Sequence, residues 1–226
     1  MIVFYKNYKR SDRTFLSIQS VKHLFPNIDV RCLFLFDESV EEYSEDIKKF
    51  EELGVKCYAD FKKYNFGSPR GAGTPLNGYY FTEGINKIQN ITKEIDGKVL
   101  IIDEDSYFTT GTTINFLMET DFDFAWCNWP GPNPIKFNQR HMGINGSFLA
   151  INPQRLNIFF PIPEYEEYIE NLLGYELYDK CIESNFKVVK IPTRLYADYC
   201  GDGTHTNDIN EIIQELKKAK IPFKQL

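Results

Sequence analysis

The sequence predicts an α/β domain with a mostly parallel central sheet and helices on both faces. Apolar runs of strand length alternate with amphipathic runs of helix length through the first half of the chain. Glycine and polar residues mark the changeovers. The run Lys98-Val-Leu-Ile-Ile-Asp103 is apolar at successive positions, the pattern of a strand covered on both faces.

Each element has its own reason. Ile2 to Tyr5 reads as a first strand. Asp12 to Phe25 reads as a helix because Phe15, Ile18, Val21 and Leu24 recur at three-residue steps. Val30 to Phe36 is a second strand and Val40 to Leu53 a charged amphipathic helix. Gly54 stops that helix where a left-handed residue is wanted, and Val55 to Tyr58 is a third strand. This βαβαβ order implies parallel pairing through right-handed crossovers. A loop dense in glycine and proline, Asn65 to Pro75, precedes a helix over Tyr79 to Ile95, which leads into the strand ending at Asp103. Phe122 to Trp126 is a further strand. Asn128-Trp-Pro-Gly-Pro-Asn-Pro134 is irregular, since three prolines remove donors and fix φ, and is a candidate lid or acceptor wall. Ser147 to Ile151 reads as a strand, Glu164 to Ser184 as a helix and Lys187 to Ile191 as a short strand. Asp208 to Lys220, capped by Asn207, is a closing helix. Without an internal repeat or a linker, residues 1 to 226 read as a single domain, with about 1–106 and about 107–226 as its two halves.

Composition narrows the function. At 226 residues, 42% hydrophobic and 26% charged, the chain is long enough for a sizeable core and is not a disordered tail. A net charge of -6 argues against general adhesion to nucleic acid or an anionic membrane. An anionic substrate would need local help from a metal or arginines. The amino terminus lacks a signal-peptide apolar region, and no run reaches the roughly 18 residues of a membrane span, so a soluble cytoplasmic protein is expected. Five scattered cysteines with no C-x-x-C pair fit a reducing compartment and give no zinc-ribbon pattern.

The chemistry concentrates at Asp103-Glu104-Asp105. Two carboxylates one residue apart, where a strand leaves the carboxyl edge of an α/β sheet, can face one point in a crevice. Such oxygen ligands suit Mn²⁺ or Mg²⁺, and a cation with open positions can grip a diphosphate. His205, in Cys200-Gly-Asp-Gly-Thr-His-Thr-Asn-Asp208, is the histidine set among ligand-type side chains and is a candidate third ligand. His23 belongs to the first helix and reads as structural, whereas His141 is a candidate site-lining residue. Strand one ends in the polar, basic turn Lys6 to Arg13, where helix-start amides with Arg10 and Arg13 attract phosphate. Strand two ends in Asp37, placed for ribose or a base edge. Arg70, in the glycine-rich loop ahead of Asn77 and Gly78, can close over a bound molecule; that loop matches neither G-x-x-x-x-G-K-[ST] nor G-x-G-x-x-G.

The alternating amino half, the apolar strand ending in Asp-x-Asp, Asn145-Gly-Ser-Phe-Leu-Ala-Ile-Asn152 and a late His205 resemble, in that order, the nucleotide-sugar-dependent glycosyltransferases of the GT-A fold. The compact form without a membrane anchor is similar to bacterial and large-virus members. The resemblance implies a DxD motif at Asp103-Glu104-Asp105, with Asp103, Asp105 and His205 holding Mn²⁺ (or Mg²⁺). It implies a donor site including Tyr5, Asn7, Arg10, Arg13, Asp37, Arg70, Asn77, Asp103, Glu104 and Asn145. The glycine directly after Asn145 departs from the family's N-x-G pattern. Trp129 and His141 are expected on the acceptor side, and Trp126, Tyr79 and Tyr80 can stack on sugar faces. The implied reaction moves a sugar, from a UDP-sugar and by default UDP-glucose, to a hydroxyl of a glycan or other acceptor. An inverting reaction needs a carboxylate base, for which Glu176 and then Asp179 are the nominees; a retaining one needs none and turns attention to Asn145.

Three rivals remain. A haloacid-dehalogenase-type phosphohydrolase also uses D-x-D, but its motif opens the domain instead of following three strands. A sugar nucleotidyltransferase would carry glycines after strand one, where Lys6 to Arg13 has none. A glycan-binding module explains the aromatics but not converging aspartates.

Overall fold

The computed structural model describes residues 1–7, 10–36, 43–61, 75–103, 106–128, 144–162, 170–191 and 209–226. The chain runs β1 (Ile2–Asn7), α1 (Ser11–Leu24), β2 (Asp29–Phe36), α2 (Ser44–Glu52), β3 (Lys56–Phe61), α3 (Pro75–Thr92) and β4 (Val99–Asp103). It continues as α4 (Thr112–Glu119), β5 (Phe124–Asn128), β6 (Ile144–Ile151), α5 (Pro153–Leu156), a 3-10 turn (Asn157–Phe159), α6 (Glu170–Glu183), β7 (Val188–Lys190) and α7 (Ile209–Lys218). Strands pair in the order β3-β2-β1-β4-β6-β5-β7. All neighbours are parallel except at β6, which runs antiparallel to both β4 and β5. The predicted α/β class therefore holds, with one reversed strand.

The two faces of β1 show how the core divides. Val3 and Tyr5 lie in a cluster with Phe15, Ile18 and Val21 of α1 and with Phe34 and Phe50, whose rings meet edge to face at 5.1 Å. Ile2 and Phe4, one residue out of phase, lie in a second cluster with Ile85 and Ile88 of α3 and Leu177 of α6. That is the period-two alternation of a strand buried on both sides. A third cluster, Leu16 with Ile212, Ile213 and Leu216, seats α7 on the outer side of α1. Covered from both sides, α1 buries polar residues that a surface helix would leave wet, among them Ser17 and Ser20.

Boundaries shift by a few residues, as helix ends generally do. Gly54 takes the expected left-handed conformation, with φ +73°. The predicted Val40 to Leu53 helix begins at Ser44 among the described residues, and the predicted Glu164 to Ser184 helix at Glu170. Two helices went unpredicted. In α4, Ile114 and Leu117 are buried three residues apart, but the two threonines that open it favour strand on propensity. Lys98 Nζ ties down its carboxyl end, donating to Leu117 O at 3.1 Å and Thr120 O at 2.5 Å. In α5, Asn152 accepts from Arg155 N as a side-chain cap. Among the described residues, no helix is long and apolar enough to cross a membrane.

Candidate active site

The carboxyl ends of β1 and β4 lie side by side, with Lys6 directly opposite Asp103 in the parallel register. Cross-strand neighbours share a face, so both side chains lie on the α3 side of the sheet. There Lys6 Nζ pairs with Asp103 Oδ1 at 2.7 Å, and the side chains are only 6% and 13% exposed. The lysine stem lies against α3 at Gly84, where a Cβ would come within 3.2 Å of Lys6 Cδ and 3.5 Å of Leu35 Cδ1. A lysine in the buried part of a parallel strand is costly unless paired. Its partner here is the first carboxylate of the acidic motif.

On the other face, α1 fixes the chain that follows that motif. Ser17 Oγ donates to Ser106 O, and Phe108 N donates to Ser20 Oγ at 3.2 Å. Ser106 N closes a turn onto Asp103 O at 3.2 Å. The segment leaving Asp103 is thus held on both sides of Glu104 and Asp105, which themselves lie outside the described residues.

The structure corrects two donor-site expectations. Tyr5 has no exposed surface; its hydroxyl hydrogen-bonds Ser17 Oγ at 2.7 Å, and burial pushes the phenol far above its ordinary range. It points under α1 because odd positions of β1 face that helix. Asn7 is also fully buried: its Nδ2 donates to Ser11 Oγ at 3.1 Å and its Oδ1 accepts from Thr14 Oγ1 at 2.9 Å. Both side chains organise the β1–α1 turn and offer no surface to a ligand.

Arg10 is the cap position of α1, its carbonyl accepting from Arg13 N and Thr14 N at 3.2 Å, and Arg13 is buried in the first turn. Both therefore stand at the edge that carries Asp103. Asp12 accepts from Arg13 N at 2.8 Å, a local role. His23 is exposed in the last turn of α1.

Asp179 is a further correction. The end of α6 connects through a few residues to β7, which pairs parallel with β5, so α6 descends from the carboxyl edge to the amino edge of the sheet. Asp179 is four residues from that lower end, and Leu177 and Cys181 on either side of it face the core while it is exposed. The topology carries it away from Asp103. Glu176 lies about one turn higher on α6, within about 5 Å along the axis. Trp126 is not a free stacking surface either: it meets Tyr178 edge to face at 5.8 Å, with Lys190 Nζ 5.2 Å from its ring centre.

Asp37, Arg70, Glu104, Asp105, Trp129, His141 and His205 lie outside the described residues, as do the side chains of Asn77, Tyr79, Tyr80, Asn145 and Glu176. Among the described residues, no three His, Cys, Asp or Glu side chains gather as a metal site. The cysteines described, Cys32, Cys57, Cys127 and Cys181, are free thiols. Burial, with Glu51 and Asp123 adding to it, pushes Cys57 and Cys181 respectively up to about 12, so neither is a thiolate ligand at neutral pH. Asp103 supplies hard oxygen at the expected edge and fits Mn²⁺ or Mg²⁺ in kind, with an ammonium already beside it. Lys6 was missed as an individual residue, read only as part of a basic turn. The signal was present: it continues the β1 alternation on the same face as Phe4.

The architecture matches solved structures over the whole chain. A galactosyltransferase, LgtC, solved with donor and acceptor sugar analogs, superposes with TM-score 0.53 and 13% identity over 100% of this chain and 85% of its own. A mannosyltransferase from Pyrobaculum calidifontis, solved with GDP-Man and Mn²⁺, gives 0.56 and 12% over 100% of this chain and 65% of its own. The chain has the GT-A fold. An inositol-1-phosphate CTP transferase from T. maritima shares the plan, with TM-score 0.53, 13% identity and coverage of 99% and 97%. No protein-family model and no curated sequence matches the chain. In the GT-A frame, β1 to β4 form the parallel half of the sheet, and its carboxyl edge carries Lys6, Arg10, Arg13 and Asp103.

Proposed function

We propose that this chain is a metal-dependent glycosyltransferase that moves a sugar from a nucleotide sugar to a hydroxyl of a glycan or other acceptor. The observation that carries the reading is the placement of Asp103: the GT-A sheet order brings it to the carboxyl edge, beside the β1–α1 turn and its arginines. A UDP-sugar is the proposed donor, UDP-glucose by default, bound by residues 1–106, with the acceptor bound by 107–226.

In this reading Asp103, Asp105 and His205 hold Mn²⁺ or Mg²⁺, which when bound supplies Lewis-acid stabilisation of the leaving diphosphate. Arg10 and Arg13 face charge developing on that diphosphate from the helix start, where backbone amides add to the field. Asp37, Arg70, Asn77, Glu104 and Asn145 are proposed donor contacts, and Trp129 and His141 acceptor contacts. If transfer inverts the anomeric centre, Glu176 accepts the proton from the acceptor hydroxyl.

Screening nucleotide sugars for Mn²⁺-dependent hydrolysis and transfer tests the reading. Asp105→Ala is expected to lose metal-dependent donor binding and to reduce turnover at least about 100-fold while melting as the wild type does; unchanged turnover would refute the assignment. A second reading rests on the match to the CTP transferase. Pyrophosphate release from CTP or UTP with a sugar phosphate, in the absence of any transfer from nucleotide sugars, would favour it.

A further inference from the structure

The glycosyltransferase reading assigns no role to Lys6, yet the fold spends a buried position on it. Its ammonium lies 2.7 Å from Asp103 Oδ1, a carboxylate oxygen of the proposed metal site. Asp103 is the more exposed of the pair, at 13% against 6%. The stem packs against α3 at Gly84, where a Cβ would come within 3.2 Å of Lys6 Cδ. An exposed lysine is free to swing aside when a metal arrives; this one is buried and paired.

We propose that Lys6 is a built-in counter-cation to the acidic motif, a positioning residue that weakens metal binding to the free protein and couples it to arrival of a nucleoside diphosphate. A metal bonded to Asp103 sits about 2 Å from a carboxylate oxygen, which leaves it within a few ångströms of a fixed ammonium. Two cations on one partly buried carboxylate repel in a medium that screens them poorly. A diphosphate brings the negative charge that lets both remain. Metal and nucleotide then strengthen each other's binding, and by linkage they do so equally.

This inference rests on the proposed metal and nucleotide site, and the experiment separates the two. Metal-free wild type, Lys6→Met and Lys6→Gln are titrated with Mn²⁺ alone, and again with UDP, following free Mn²⁺ by its electron paramagnetic resonance signal. Lys6→Gln retains a donor toward Asp103, so one variant tolerates the loss of charge if the other unfolds. With Mn²⁺ alone, both folded variants are expected to bind on the order of tenfold more tightly than wild type. UDP should then enhance Mn²⁺ affinity less in the variants than in wild type. Adding Asp103→Asn to Lys6→Gln should abolish the gain, showing that it runs through this carboxylate. Equal or weaker Mn²⁺ affinity in the variants, or no binding in any protein, overturns the proposal. Failure of UDP to strengthen Mn²⁺ binding in wild type, alongside a gain in the variants, overturns the coupling and also counts against the nucleotide-sugar reading, whereas a UDP effect in wild type with no gain in the variants overturns the role of Lys6 alone.

Discussion

Two aspartates stand at opposite edges of the sheet, Asp123 fully buried and Asp103 half-buried, and their surroundings differ in a telling way. Asp123, at the amino edge, is tied into the backbone: its Oδ2 accepts from Lys187 N at 2.8 Å, its N–H donates to Lys187 O at 2.8 Å, and its carbonyl accepts from Asn152 N at 2.7 Å. Its cation, Arg155, lies 2.5 Å away but is 54% exposed. Asp103, at the carboxyl edge, faces a cation that is itself buried. Asp123 closes the starts of β5 and β7 onto α5, which is a structural task. Asp103 and Lys6 are two charges largely removed from water together at the edge where open α/β sheets bind ligands. A buried ion pair gains little stability over an apolar pair of the same shape, so the carboxyl-edge pair is better explained by the site than by the fold.

Stability measurements put that contrast under the most strain. Asp123→Ala should cost about 1–3 kcal/mol in urea unfolding, because it removes the acceptor of the part-buried Lys187 N–H. Arg155→Ala should cost only about 1 kcal/mol, since solvent screens an exposed guanidinium. Equal losses would show that the arginine, not the backbone, holds this edge.

The carboxyl edge should respond differently. Lys6→Met alone leaves a carboxylate short of its buried partner and should cost about 3 kcal/mol, as should Asp103→Leu alone. The double variant should recover most of that and approach wild-type stability, with metal and donor binding lost. A double variant as unstable as the sum of the singles would make the pair a fold-holding element like Asp123. A smaller effect tests the reassignment of Tyr5: Tyr5→Phe removes one buried hydrogen bond to Ser17 and should cost about 1 kcal/mol, with nucleotide affinity unchanged.

What the sequence disclosed follows the same division. The parallel half was legible because β1, β2 and β4 are apolar on both faces and each interval fits one helix. The reversed direction of β6 was not, since an apolar run says nothing about the sense in which it pairs. Asp103 was legible as a pair of carboxylates at a strand end. Lys6 was not, because its meaning depends on a register, Lys6 opposite Asp103, that brings together residues far apart in the chain. Tyr5 and Asn7 were not legible as buried residues for a related reason: odd positions of β1 turn under α1, so nearness to the edge is not access to it. Asp179 failed on topology, because only the connection to β7 reveals which way α6 descends.

The smallest effect comes from a third charged pair, at the start of β2. Arg31 donates to Asp29 at 2.7 Å, and Asp29 remains partly exposed. Burial alone would raise the Asp29 carboxyl, but the hydrogen bond and charge of Arg31, helped by Lys56 and Lys22, outweigh it and hold the group below its ordinary 3.8. A carboxyl lowered in the folded state binds protons more readily when unfolded, so its stabilisation is fully present above about pH 4 and is lost as pH falls through the folded value. Arg31→Met should therefore lower stability modestly at neutral pH and flatten the acid limb, its difference from wild type shrinking as pH falls below 4. The paired prediction is that this variant leaves Mn²⁺ and nucleotide affinity untouched. A shift in either would mean that the amino edge communicates with the carboxyl edge through β2, and that the separation between fold-holding and site-forming charges drawn from Asp123 and Asp103 is not maintained along the sheet.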